Sequence, residues 1–211
     1  MTDFPSLVAT LMQSRQTILP KRLVTPGPNA SQLELILGAA ATAPDHGQLL
    51  PWRFIIVPAD SRVLLAGQFV KALLDRDAGA LPDQVEQARE KAYRAPLLML
   101  AVVNGACGDP DVDMNERIVS AGCAIQNMLL MATAQGFGSA LTSGKALKST
   151  GLRTLFQLDA QDQALCFISV GTVVSRKAQR ARPGPADYAS HLSQTQGVVG
   201  GVPPFDPDTT K

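Results

Sequence analysis

The sequence has almost no net charge and few histidines. Its 19 Lys and Arg residues nearly balance its 18 Asp and Glu residues, which gives a formal net charge of +1. A chain with this balance has no general electrostatic attraction for nucleic acid or for an anionic membrane. There are two histidines, His46 and His191, and the second lies in the C-terminal tail, so we expect no metal site built on histidine.

Cysteine is also scarce. Cys107, Cys123 and Cys166 are scattered and form no CxxC pair, which argues against a disulfide framework or a structural zinc site. We therefore expect buried free thiols in a reducing compartment. The N-terminal stretch MTDFPSLVATLMQSR has neither a basic n-region nor a small-residue cleavage site, so we expect no signal peptide and a cytoplasmic protein.

Signatures of two common enzyme classes are missing. The sequence contains no G-x-S-x-G nucleophile elbow, and Cys123 lies in an apolar run that disfavours an ionised thiolate. No glycine-rich phosphate loop follows the first predicted strand, and Gly105 and Gly108 open no convincing dinucleotide-binding helix. These absences disfavour a serine hydrolase and a doubly wound nucleotide-binding sheet.

One long segment lacks charged residues altogether. Residues 118–144 contain no Asp, Glu, Lys or Arg, and the segment is long enough to cross a bilayer, which takes about 20 residues. Its several polar residues and glycines instead favour a buried helix, 115–135, that leads into a strand. A helix that is apolar nearly all round lies in the centre of a core or at a subunit interface.

The remaining periodicities predict many helices and few strands, which is typical of an α+β fold with one sheet wrapped by helices. Residues 191–211 are poor in core-forming side chains, so we expect a single domain over 1–190 and a tail that covers a partner or is partly disordered. The predicted helices are 3–14, 32–42 (capped by Asn29 or Ser31), about 61–75, 82–93, 115–135 and 145–158, and the predicted strands are 53–58, 95–103, 137–143 and 163–174.

Three stretches carry candidate ligand-binding groups. Arg15 and Thr17 follow the first helix and offer a guanidinium and a hydroxyl to a phosphate, although an arginine there also suits the helix dipole. The basic stretch RKAQRARP at 176–183 is either a phosphate clamp or a solvated loop. APDHGQLLPWRF at 43–54 combines a helix stop, a loop containing His46, and Trp52 as an anchor for the next strand.

These motifs follow one another in an order that resembles the FMN-dependent nitroreductase family, closest to its small YdjA-like members. The resemblance spans residues 3–190 and implies an α+β, nitroreductase-like fold with a central, mostly antiparallel sheet wrapped by helices. It also implies a homodimer, with the long helix at the interface and two flavin sites between the subunits. The matching motifs are R-x-T at 15–17, APDHGQLLPWRF at 43–54, RAP at 94–96, SAGCAIQNMLLMATAQGFG at 120–138 and GT at 171–172.

The resemblance further implies which residues contact FMN. The segment 131–136, and in it Gln135 and Gly136, matches a region associated with the nicotinamide nucleotide. The matching flavin positions are Arg15, Gln16 and Thr17 at the phosphate and ribityl chain, Thr42 and His46 after the second helix, and Leu141, Thr142 and Ser143 on a strand.

The chain departs from the family pattern at Thr42 and Thr142, where close relatives often carry arginine. We predict that Arg176, Lys177 or Arg180, just after the last strand, supplies the missing charge to the phosphate.

The implied activity is that of an oxidoreductase that uses NAD(P)H and FMN to reduce a small-molecule acceptor such as a nitroaromatic, a quinone or an enone, with ping-pong kinetics. The flavin carries the chemistry, so we assign no catalytic side chain, and His46 is the single candidate. Leu50 stands where the family commonly has glutamine, so the acceptor preference is expected to differ. The alternatives are a flavin-dependent dehydrogenase, an enzyme that acts on FMN itself, and a non-catalytic flavin-binding protein.

Overall fold

The computed structural model describes residues 3–176, 178 and 181–203. The chain divides into two compact units, Met1–Arg176 and Lys177–Lys211. In the described part of the first unit the α-helices are α1 (Phe4–Ser14), α2 (Ala30–Ala40), α3 (Arg62–Leu74), α4 (Pro82–Glu90), α5 (Met114–Ala134) and α6 (Thr150–Leu155). The strands are β1 (Leu23–Val24), β2 (Trp52–Ile56), β3 (Leu97–Asn104), β4 (Gly138–Thr142) and β5 (Asp162–Val173).

Local signals in the sequence account for the ends of several helices. Asn29 caps α2 through a capping box: its side chain accepts from Gln32 N at 2.9 Å, while the Gln32 side chain accepts from Asn29 N at 3.0 Å. Asp113 accepts from the first backbone amides of α5. Gly136, with φ of +85°, follows the end of α5 in a left-handed conformation that glycine adopts without strain.

The sheet of the first unit has the strand order β1-β5-β3-β2, and β4 also pairs with β5. All the ladders among these strands are antiparallel, and one isolated parallel bridge joins Thr17 to Ser139. β3 pairs with a strand on each side, and every residue from Leu97 to Val103 is buried. The predicted α+β fold with a mostly antiparallel sheet is confirmed.

Helices cover both faces of the sheet. On one face, Met99 and Ala101 of β3 belong to a core that includes residues of α2 and α5. On the other face, Leu98, Leu100 and Val102 belong to a core that includes residues of α3 and α6. This alternation is the period-two pattern of a strand that is covered on both sides.

Three local predictions need correction. The segment 145–158 is not one helix, because Ser149 is extended with ψ of 142° and caps α6 after a 3-10 turn, Lys145–Lys148. The short strand β1 was not predicted. The cysteines are free, but only Cys166 is buried, where desolvation raises its pKa to about 11; Cys107 and Cys123 are half-buried.

Helix α5, which carries no charged residue after Arg117, is buried on one side only. Its inner face includes Ala124, Ile125 and Met128, whereas Val119 is 65 % exposed on the outer face. α1 is amphipathic but presents its apolar residues, among them Phe4, to solvent. In the part of the chain that the structure describes, no helix combines the length and apolarity that a membrane crossing requires.

The second unit contains two strands that the sequence did not predict. β6 (Ser190–Ser193) and β7 (Gly197–Gly200) form an antiparallel hairpin in the described part of this unit.

The buried carboxylate of Asp162, on β5, binds side chains of β2 and β3. Asp162, 4 % exposed, accepts two hydrogen bonds from the guanidinium of Arg53, at 2.9 and 2.6 Å, and one from Asn104 Nδ2 at 3.0 Å. Burial by itself raises the pKa of Asp162, but these bonds and the backbone amide of Asp159 favour the ionised form more strongly. The net effect is a lowered pKa.

We predict that Asp162→Asn lowers the free energy of unfolding by about 2 kcal/mol at neutral pH, since it removes charge-assisted hydrogen bonds from a buried site. Because the folded pKa is lowered, the contribution of ionised Asp162 is complete above the unfolded pKa near 3.8 and is lost as the pH falls through the folded pKa. Chemical denaturation of both proteins as a function of pH checks this. A difference that stays constant below about pH 4 would contradict it.

Candidate functional site

The structure brings together two of the segments predicted to bind the cofactor. Thr17 bridges Ser139 at the start of β4, and Ile18 N donates to Ser139 O at 2.9 Å. The loop with Arg15, Gln16 and Thr17 therefore runs beside the strand that ends in Leu141 and Thr142.

A cavity of about 600 Å³ opens at the end of β4, on the face of the sheet that α3 covers. Thr142 points towards it because its partner in the ladder, Phe167, lies on the same face. Apolar side chains form one wall, cationic side chains form another, and a hydroxyl-rich turn lies between them. The principal lining residues of this first cavity are Leu19, Pro20, Phe69, Leu73, Arg76, Gln87, Lys91, Arg94, Leu98, Thr142, Ser143, Gly144, Lys145, Leu147 and Phe167.

The cations of the first cavity were missed by the sequence analysis. Arg94 belongs to the RAP motif, and Lys91 precedes it by three residues in a 3-10 turn. Side chains three residues apart in such a turn lie on the same side. The three-residue spacing could have indicated that Lys91 and Arg94 lie on the same side of the turn. The orientation of both side chains towards the sheet, however, depends on contacts with α3.

The buried side chain of Arg62 makes those contacts. Its guanidinium donates to Ala95 O at 2.6 Å and Pro96 O at 2.8 Å, and at 3.4 Å to Ala92 O and Val57 O. Desolvation lowers the pKa of Arg62. Ala95 has φ of +68°, a left-handed conformation that costs a residue with a side chain about 1–3 kcal/mol. Arg62 thus holds the backbone immediately after Lys91 in place.

Thr42 and His46 lie elsewhere, beside α5. Thr42 Oγ1 accepts from Asn127 Nδ2 at 2.9 Å, and His46 Nδ1 lies 2.7 Å from Glu116 Oε2. Neither residue lines the first cavity, because α5 packs on the opposite face of the sheet. Within one chain, the predicted flavin contacts therefore form two groups on different faces.

The loop that carries His46 has an unusual backbone. Gln48 and Leu50 have φ of 54° and 48°, and Leu50 N donates to Asp45 Oδ2 at 2.7 Å. The Leu50 side chain is 63 % exposed despite its apolar character. Backbone strain of this kind clusters at binding sites and switch regions, so this loop is a candidate binding segment.

Gln135 and Gly136 end α5 and do not line the first cavity. The Gln135 amide donates to Gln32 O of α2 at 3.3 Å. Their assignment to the nicotinamide nucleotide stays a prediction.

Arg176 follows β5, whose end lies beside another basic segment. Val174 N donates to Arg22 O at 3.1 Å, so the 3-10 turn Pro20–Arg22 runs next to this end of the strand. Lys177 and Arg180, the other predicted phosphate ligands, lie outside the described residues.

Comparison with known proteins identifies the family. The model of the nitroreductase family matches residues 14–172. The chain belongs to the nitroreductase family. The expectation of an oxidoreductase enzyme is thereby confirmed.

Relatives and solved structures agree with this assignment. A protein of Haemophilus influenzae provisionally named an NAD(P)H nitroreductase is 35 % identical over 184 residues, 87 % of this chain and 98 % of its own length. The similarly named YdjA of Escherichia coli K12 is 34 % identical over 172 residues, 81 % of this chain and 92 % of its own.

Among solved structures, a nitroreductase-like family protein from Bacillus cereus has a TM-score of 0.75 at 16 % identity, covering 90 % of this chain and 97 % of its own. A Clostridium difficile protein described as an FMN-dependent nitroreductase has a TM-score of 0.59 at 19 % identity, covering 81 % and 90 %. The nitroreductase-like fold is confirmed.

The contact between His46 and Glu116 generates a direct test. The hydrogen bond and the negative charge of Glu116 raise the pKa of His46 above 6.5. We predict that Glu116→Gln lowers this pKa towards 6.5, as followed by NMR titration of the imidazole protons. An unchanged pKa at His46 would contradict the contact.

Proposed function

We propose that this member of the nitroreductase family binds FMN in the first cavity and uses it to pass reducing equivalents from NAD(P)H to a small acceptor such as a nitroaromatic or a quinone. One observation carries the proposal: the cavity combines an apolar, partly aromatic wall with cations and backbone amides at the end of β4.

The residues that line the first cavity fit a flavin chemically. Cavities that hold cofactors measure about 300–1,000 Å³ and combine apolar walls with a few polar groups that fix orientation. Phe69 and Phe167 suit a flat ring, and the turn Thr142–Gly144 offers hydroxyls and amides to its heteroatoms. Lys91 and Arg94 supply positive charge for an electron-rich ring edge or an anionic group.

The phosphate is assigned to the loop beside β4. Arg15, Gln16 and Thr17 adjoin the strand whose far end opens into the cavity. Arg176 follows the end of β5, where Val174 N donates to Arg22 O. Support for FMN also comes from the Clostridium difficile structure, which is described as FMN-dependent.

When bound, FMN supplies the transfer of hydride from NAD(P)H to the acceptor. The chain contributes position and electrostatics. Lys91, an exposed cation that lines the cavity, stabilises negative charge that develops nearby. The apolar wall excludes water from one side. One open cavity serves the reductant and the acceptor in turn, which gives ping-pong kinetics.

The functional unit is proposed to be a homodimer. One chain leaves Val119 of α5 and the apolar face of α1 exposed, and large exposed apolar patches mark interaction surfaces. A second subunit on this surface would cover both helices. It would also complete flavin sites that combine Thr42 and His46 of one subunit with the cavity of the other, as the resemblance implies.

A non-catalytic flavin-binding protein is the second candidate. It rests on the exposure of Leu50, an apolar residue where relatives place glutamine, and on His46 as the single candidate acid. Turnover separates the two functions, because a carrier would bind FMN without oxidising NAD(P)H.

We predict that the purified protein is yellow, binds FMN and oxidises NAD(P)H with menadione or a nitrofuran as acceptor. Lys91→Met should weaken FMN binding about tenfold, because it removes a charge-assisted contact while keeping an unbranched side chain. Flavin fluorescence titration of the apoprotein measures the affinity, and steady-state NAD(P)H oxidation measures turnover.

Arg89→Met is the matched control. It removes one positive charge two residues before Lys91, at the end of α4, but Arg89 pairs with Glu86 at 3.2 Å and does not line the cavity. A colourless protein that fails to take up FMN would overturn the proposed function. Equal FMN affinities for both variants would overturn the role of Lys91.

We also predict that Val119→Asp converts the dimer to a monomer and reduces FMN binding, because a charge placed in an apolar interface is desolvated without a partner. Val63→Asp is the control: Val63 is 60 % exposed but lies on α3, on the other face of the sheet. Light scattering coupled to size exclusion gives the oligomeric state. A wild-type monomer, or dissociation of both variants alike, would refute this interface.

A further inference from the structure

A second cavity of about 780 Å³ adjoins the first. The two share Arg76 at the end of α3 and Lys145 in the 3-10 turn, so these two cations stand between them. A molecule that reaches into the first cavity can therefore extend into the second without leaving the surface of one chain. The second cavity is assigned no role by the proposed function.

Positive charge dominates the lining of the second cavity. Its charged residues are Lys71, Asp75, Arg76, Lys145 and Lys148. Lys71 pairs with Asp75 at 2.7 Å, so the charges of these two residues largely cancel. Among the described residues, no carboxylate lies within ion-pair distance of the remaining three.

The backbone brings two of these cations together. Lys145 and Lys148 are the first and last residues of one 3-10 turn, so their side chains lie on the same side. Arg76 approaches from the end of α3, and its guanidinium donates a long hydrogen bond, 3.4 Å, to Ala72 O. Three cations from two elements thus face one opening.

The uncharged part of the lining combines hydroxyl and amide groups with the small or aliphatic residues Ala72, Gly151 and Leu155. Thr150, Thr154 and Gln68 line the cavity, and no described aromatic residue does. Such a site suits a compact, highly charged group that accepts many hydrogen bonds. A phosphate monoester has this chemistry, because it carries about −1.5 to −2 charge and three acceptor oxygens.

The geometry points to the second cavity as the site for the 2′-phosphate of NADPH, with Lys148 as the residue that selects NADPH over NADH. This inference rests on the proposed function, because it places the nicotinamide end of the dinucleotide at the first cavity. The pyrophosphate then passes Lys145 and Arg76, and the adenosine end reaches Lys148.

Lys148 is the decisive residue, since it lines the second cavity and not the first. A cation that contacted the dinucleotide pyrophosphate would serve NADH and NADPH equally. One that contacts only the 2′-phosphate raises kcat/KM for NADPH alone. The nearest carboxylate, Asp75, opposes the bound phosphate, and its removal should therefore have the opposite effect.

The test compares kcat/KM for NADPH and NADH in FMN-loaded wild type, Lys148→Ala and Asp75→Asn. We expect wild type to favour NADPH, Lys148→Ala to lose about tenfold in kcat/KM for NADPH with little change for NADH, and Asp75→Asn to increase the preference. Arg89→Ala, which removes a charge outside both cavities, should keep the wild-type ratio.

A binding measurement avoids dependence on turnover. Isothermal titration of the FMN-loaded protein with adenosine 2′,5′-bisphosphate and with ADP should show tighter binding of the first, and the difference should vanish in Lys148→Ala.

Equal kcat/KM values for NADPH and NADH in a yellow, active wild type would overturn this inference and leave the proposed function intact. Loss of FMN from Lys148→Ala would also overturn it, because the cavity would then hold the phosphate of the flavin. A wild type that binds no FMN would instead defeat the proposed function itself.

Discussion

The structure of the first cavity depends on one buried cation, the guanidinium of Arg62. It is satisfied by four backbone carbonyls instead of a carboxylate, and three of them belong to the segment 92–96. Leaving a buried cation without partners costs several kcal/mol, so this segment cannot relax without losing that stabilisation. The same bonds offset the strain at Ala95. The direction in which Lys91 and Arg94 leave the backbone follows from them.

The fold was predictable from the sequence because its strongest elements carry local signals. β3 is a continuous apolar run, α5 has no charged residue after Arg117 and is followed by Gly136, and α2 begins at a capping box on Asn29. Weak elements escaped prediction. β1 has two residues and exists because Leu23 and Val24 pair with the end of a strand about 150 positions away. No periodicity can develop in two residues.

The candidate site was predictable in part, for a related reason. The loop with Arg15 and the end of β4 carry recognisable motifs, and they do come together, although their role with FMN stays a prediction. The sequence analysis missed Lys91, Arg76 and Lys145, because each is an ordinary polar residue in its own segment. Only the packing of α3 and α4 over the sheet brings them to one opening.

The overall charge balance conceals this concentration of cations. A chain with a net charge of +1 has no general attraction for polyanions, yet two adjoining cavities are lined by Arg76, Lys145, Lys148 and Lys91 without matching carboxylates among the described residues. Electrostatic selection of a ligand acts over about 8–10 Å at physiological ionic strength. The local distribution of charge, rather than its sum, therefore decides which anions this surface favours.

The two faces of the sheet leave different kinds of side chain exposed. The face covered by α3 retains cavities lined by cations, of which Arg76, Lys145 and Lys148 have no carboxylate partner among the described residues, and this suits a charged small molecule. The face covered by α5 retains exposed apolar side chains such as Val119, which suits another protein surface. His46 and Leu50 lie beside α5, in a loop whose strained backbone holds them in solvent. If a second subunit docked on that face, His46 and Leu50 of the first chain would face the cavity of the second. The strained loop of one chain would then contribute to the binding site of the other.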